Sequence, residues 1–194
     1  MKQKGVERLF FKLIADEVRF AQLEFRKHRK TKRIVLGSLL ACMAAVLQAA
    51  GGFLPGVGYM ISPFATLPIL IGAMFSLQMG VMAYFLTILL LFILFPSELV
   101  IFPFTTGLMG IGIGAAFSFF SKRISIILIG GFLLSLGILC LLYVFRFPVL
   151  GPTVSNSFSF LATGGILIFS FLYSWLWFEF ALFFFKKIKD IFTP

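Results

Sequence analysis

Charge is scarce in this chain, and the scarcity excludes more than any motif does. Only 12% of its 194 residues are Asp, Glu, Lys or Arg, where a soluble domain carries about 25%. Hydrophobic residues make up 60%, and the mean hydropathy is +1.07, so a soluble globular domain is ruled out. Histidine occurs once and cysteine twice. Cys42 and Cys140 both fall inside apolar stretches and read as small core residues, without zinc spacing or a disulfide framework. His28 sits in a basic cluster and reads as a solvated surface residue. Between residues 34 and 185 the only acidic residues are Glu98 and Glu179, too few and too far apart for a carboxylate pair. Converging metal ligands are missing as well. No Gly-rich loop with Lys and Ser/Thr is present to cradle phosphates. The expectation is a protein that is not an enzyme, with no metal and no cofactor. A signal-peptide pattern is also lacking, since the first apolar run begins at Ile34 behind a charged segment.

What charge there is has one sign and one place. Of 17 basic residues, 11 lie within residues 1–33; subtracting Glu7, Asp16, Glu17 and Glu24 gives +11 − 4 = +7 for that segment. Nucleic acid is not the expected partner, because no aromatic residues interleave the charge as in a stacking platform. Beside an apolar run, such a segment is a topology signal and an anchor for anionic lipid headgroups. Val6, Leu9, Phe10, Leu13, Ile14, Val18, Ala21 and Phe25 recur at helical spacing, with Arg8, Lys12, Asp16 and Arg19 off the stripe. This pattern predicts an amphipathic helix lying on the inner membrane surface. Residues 1–33 thus form a basic cytoplasmic segment and residues 34–194 a membrane domain.

The apolar runs divide into six predicted transmembrane helices, an all-α membrane fold. The first covers Ile34 to about Phe53, and Pro55-Gly56-Val57-Gly58-Tyr59 reads as a loop. Residues 61–95 suit two short helices of about 17 residues and about 25 Å each, with a tight turn at Ser76-Leu77-Gln78-Met79-Gly80. Pro96-Ser97-Glu98 marks the next boundary, and Pro103 suits the opening of a fourth helix that ends at Lys122-Arg123. The fifth covers about Ile124–Phe145, and the sixth Phe158 to about Phe185. Six crossings with both ends in the cytoplasm place 16 of the 17 basic residues inside, leaving only Arg146 outside. Five crossings would put Lys122-Arg123 and the C-terminal lysines on opposite sides, against the positive-inside rule.

Two features stand out within the spans. Gly37, Ala41, Ala45 and Ala49 recur every four residues along the first, a face on which another helix can approach closely. It serves either packing within the chain or docking onto a separate membrane subunit. Gly107, Gly110, Gly112 and Gly114 in the fourth lack the strand-turn-helix context of a cofactor fingerprint and read as close packing. Polar residues gather at the predicted outer ends: Tyr59, Glu98, Thr105, Thr106, Tyr143, Arg146, Ser155, Asn156 and Ser157. Polar groups facing hydrocarbon are costly. They form either an ordinary wet loop surface or an outward-facing pocket for a small, largely apolar ligand. Glu98 and Arg146, the opposite charges on this side, can pair or clamp a zwitterion. Glu179, among Tyr173, Trp175 and Trp177, reads as a carboxylate in an aromatic belt, with a coupling contact to a partner as the alternative.

The segment Leu39–Gly80 resembles the S components of energy-coupling factor (ECF) transporters, membrane subunits that capture vitamins and related micronutrients. The resemblance rests on Ala41-Cys42-Met43-Ala44-Ala45 with its small-residue stripe, on a Gly/Pro loop ending in Ile61-Ser62-Pro63, and on Leu67-Pro68-Ile69-Leu70-Ile71-Gly72-Ala73-Met74 before a turn with Gly80. It implies six helices, a ligand pocket near the outer face, and docking through Ala41, Ala45 and Ala49 onto a transmembrane coupling subunit driven by two ATPase subunits. The long basic N-terminal helix departs from the family pattern. A small-molecule importer subunit in the plasma membrane is therefore the leading expectation. The alternative is a non-transporting scaffold or accessory subunit that binds another membrane protein. A carrier coupled to ions on its own would need ionisable groups at mid-depth, and none is found there.

Overall fold

A computed structural model describes residues 16–54, 56–147 and 160–192, with side chains as far as residue 188. Among these residues the chain is helical with no strand, and six helices are long and apolar enough to cross a membrane. Lipid offers the backbone no hydrogen-bond partners, so each apolar run closes its own ladder. A helix α1 over residues 16–27 is followed by α2 (Lys30–Phe53). The second span combines α3 (Gly58–Ile61), a 3-10 turn (Ser62–Ala65) and α4 (Thr66–Phe75). The third is α5 (Leu77–Leu94). The fourth is broken into α6 (Glu98–Phe104) and α7 (Thr106–Phe119). The fifth is α8 (Arg123–Leu139), ending in a π turn at Cys140–Val144, and the sixth is α9 (Phe160–Phe192).

The short α4 is the centre of the bundle. Its sequence is apolar on every side, and a helix of that kind belongs in a core. Nine of its ten residues are buried, packed by α2, α5, α7 and α9. The predicted tight turn falls at a single residue, Ser76, in extended conformation (φ −161°, ψ 122°). So short a link forces α4 and α5 together, and a Cβ at Gly80 would lie 2.5 Å from the Cβ of Ala73. Glycine is what lets the backbones touch there. The outward face of α5, with Phe85, Leu89, Phe92 and Ile93, is exposed and apolar, as a lipid-facing surface must be.

Three boundaries differ from the sequence reading. Helix α2 starts at Lys30, because the basic residues before Ile34 are sound helix formers and extend its first turn. Gly58 already belongs to the helix of the second span, the chain having turned at Gly56 with φ +82°. The fourth span opens at Glu98, so Pro103 lies inside a helix rather than at its start. A proline there cannot donate to the ladder, and the helix breaks two residues later at Thr105 (φ −118°, ψ −96°). Tyr84 on α5 donates its hydroxyl to the Pro103 carbonyl at 3.1 Å.

Side-chain contacts assign the helix ends to two sides. Arg33 Nη2 donates to Gln78 Oε1 at 2.8 Å, Gln22 Nε2 donates to the Met74 carbonyl at 2.8 Å and to Ser118 Oγ at 2.7 Å, and Arg123 pairs with Glu179. The start of α2, the α4–α5 turn, the end of α7, the start of α8 and the later part of α9 therefore share one end, the basic end. Helix α1 closes it. Its stripe residues Val18, Ala21 and Phe25 are buried against the bundle, with the Phe25 ring 6.0 Å from Phe75 and Phe75 5.3 Å from Phe185. Within the described residues, this apolar face covers protein rather than lying in the membrane surface as expected. The bundle end offers Phe75 and Phe185 to bury against, an option that a helical period alone does not reveal. Val6, Leu9, Phe10, Leu13 and Ile14 lie outside the described residues.

Candidate functional site

At the opposite, far end, three buried polar side chains from two spans form a hydrogen-bonded chain. Thr106, first residue of α7, donates its hydroxyl to Gln48 Oε1 at 2.8 Å. Gln48 on α2 donates Nε2 to Glu98 Oε2 at 2.8 Å, and Glu98 opens α6. The break at Thr105 sets Glu98 and Thr106 on separate short helices, yet both reach the same amide. Gln48 is 1% exposed, Glu98 6% and Thr106 9%. The α3 and 3-10 segment packs along α2 beside them. Ser62 of that segment approaches Gly51, where a Cβ would stand 3.4 Å from Ser62 Oγ and 3.3 Å from Glu98 Oε1. Thr66, whose carbonyl abuts Gly110 one turn beyond Thr106, has a fully buried hydroxyl with no hydrogen-bond partner among the described residues.

Of the residues singled out in the sequence, Glu98 and Thr106 are thus brought together, and Thr105 stands beside them. The Thr105 hydroxyl is turned back onto its own helix, donating to the Ile101 carbonyl at 2.8 Å. Tyr59 is at the far end but exposed. Tyr143 lies in the π turn with its hydroxyl 3.4 Å from Thr163 Oγ1. Arg146 is exposed at a left-handed turn (φ 52°) and forms no direct ion pair with Glu98, so of the two expected arrangements the direct pair is not made. A long cation gains hydration by staying out, whereas the carboxylate is held in by the amide of Gln48. Ser155, Asn156 and Ser157 lie outside the described residues.

Gln48 was not among the expected site residues. The signal was present: it is the one amide inside the first apolar run, and it continues the face of Ala41 and Ala45 at helical spacing. That face also corrects the docking expectation. Gly37, Ala41, Ala45 and Ala49 are all buried within the chain, and a Cβ at Gly37 would strike Met82 and Met79 of α5. Thr87 of α5 lies 3.3 Å from the Ala41 carbonyl. Small residues let α2 and α5 close on each other, and nothing of the stripe is left for a partner.

Two open grooves lie elsewhere. One, of about 380 Å³, runs along Phe132, Ser135, Leu139, Cys140 and Leu167 between α8 and α9. The other, of about 460 Å³, follows Trp175, Glu179, Phe180 and Phe183 toward the basic end. Both are walled almost wholly by apolar side chains. Glu179 pairs with Arg123 and so is held by a cation of its own chain. Compared with protein-family models, with curated proteins and with solved structures, the chain finds no match.

Proposed function

We propose that this chain is the solute-binding membrane subunit of a small-molecule importer, energised by separate coupling and ATPase subunits, with its site at Gln48, Glu98 and Thr106. The observation that carries the reading is a carboxylate buried at one end of an apolar bundle and held by an amide rather than by a cation. Burying such a group is costly, and polar groups at membrane depth line solute paths more often than they stabilise a fold. With the basic end in the cytoplasm, as the positive-inside rule favours, the site faces outward, where an importer receives its solute. The likeness of Leu39–Gly80 to ECF S components supports the same role. A coupling subunit would meet a face other than the Gly37–Ala49 stripe, which is internally packed.

The test is thermal unfolding of the purified chain against vitamins, amino acids and nucleobases, together with identification of any co-purifying solute. Saturation at 100 times Kd stabilises by about 2.7 kcal/mol, and Gln48→Leu should abolish that gain. If no solute shifts the wild type, the importer reading fails in favour of an accessory subunit that binds another membrane protein.

A further inference from the structure

Among the described residues Glu98 is the only charged side chain that is buried. Its two oxygens differ. Oε2 accepts from Gln48, while Oε1 receives no hydrogen bond from any described residue and lies close against Gly51, where a Cβ would stand 3.3 Å from it and 3.4 Å from Ser62 Oγ. The donors of the network all run one way, from Thr106 to Gln48 to Glu98. What the described network leaves unmet is the charge of Glu98 itself: Gln48 and Thr106 are neutral, and so are Ser62 and the hydroxyl of Thr66 on the adjoining turn. Among the described residues the carboxylate therefore has a neutral donor and no cation. An anion seated here would meet the carboxylate with like charge.

Resting on the reading of this end as a solute site, we infer that the group bound there is a small monovalent cation, foremost the protonated amine of an organic solute, seated against Glu98 Oε1. An ammonium brings the positive charge that the described network lacks, with three donors to direct at Oε1. A buried carboxylate with a matched cation is stable where the same carboxylate alone is not.

The experiment uses the full chain in phosphatidylcholine nanodiscs, which offer no primary amines. Thermal unfolding is followed with methylammonium, ethanolamine, Na+, K+, acetate and acetamide, and with the vitamins, amino acids and nucleobases above. An amine is expected to raise the Tm of the wild type. Glu98→Gln should weaken that response at least about thirtyfold in apparent Kd, the usual loss when one partner of a buried charge pair is removed. Glu98→Asp should keep a weaker cation response, which separates loss of charge from loss of fold. A shift by Na+ or K+ alone supports the cation site with an inorganic occupant. Stabilisation only by neutral or anionic solutes, unchanged in Glu98→Gln, overturns the cation inference and leaves the solute site standing. No shift by any probe overturns both.

Discussion

At the basic end, Arg19, Arg33 and Arg123 reach Ser121, Gln78 and Glu179 in partly exposed positions. At the far end, Glu98 lies buried under the 3-10 segment and is held by a neutral amide. The comparison shows where polarity is cheap in this molecule and where it is not. An exposed ion pair such as Arg123–Glu179 contributes at most about 1 kcal/mol. A buried carboxylate has no such low-cost state. The far end also concentrates irregular backbone, in the break at Thr105 and the π turn at Cys140–Val144. Non-helical backbone at this depth is tolerated where protein or a cavity surrounds it, and π turns recur at functional sites.

The largest effect on that contrast is expected where the far end is held together backbone to backbone. A Cβ at Gly137 would lie 1.6 Å from the Phe104 carbonyl oxygen, just before the break at Thr105. Gly137→Val should cost more than about 4 kcal/mol, in the range reserved for severe overpacking, and yield aggregated protein on size-exclusion chromatography. Gly164→Ala is the control. No atom lies within 4 Å of a Cβ there, so the helix should be unchanged or gain up to about 1 kcal/mol from propensity.

Next in size is Gln48→Leu, which strands Glu98 and Thr106 together. The expected loss is about 3 kcal/mol, because a buried charge forfeits its only donor among the described residues. Unfolding in detergent measures it, and Gln48→Leu combined with Glu98→Leu should recover much of the loss. Ala45→Leu follows at about 1–3 kcal/mol, the usual range for added methylenes in a packed core. It tests whether the stripe is interior: a fully stable variant would mean that this face is free.

Much of this architecture was legible from residue chemistry. The six apolar runs and the turn at Ser76 could be read because lipid demands long hydrogen-bonded stretches and a polar interruption marks the end of one. Pro103 misled because proline suits a helix start, and the sequence carries no sign that Tyr84 would take up its carbonyl. The stripe from Gly37 to Ala49 declared close packing but not the identity of the neighbour, since small residues look alike toward α5 and toward a foreign helix. Two of the three site residues, Glu98 and Thr106, were readable. Gln48 completes it only because α2 and the fourth span lie side by side, a long-range fact absent from any window of sequence.

The smallest effect is expected at the basic end, at the Arg123–Glu179 pair. Both side chains are nearly half exposed, and the Arg123 guanidinium also lies 5.4 Å from the centre of the Phe178 ring. The ring is buried and stacked on Phe117, so the aromatic floor persists when the cation is removed. Arg123→Gln forfeits an exposed ion pair and an exposed cation–π contact, each worth about 0.5–1 kcal/mol at most. Solvent reclaims both partners, so a total loss of about 1 kcal/mol is expected by thermal unfolding, shrinking further in 1 M salt. Lysine at the same position should recover the charge contribution and not the planar stacking. Membrane orientation should not change, because 11 basic residues within positions 1–33 remain to set it. A loss above about 3 kcal/mol would mean that this pair is as buried in function as Glu98, and the contrast between the two ends would collapse.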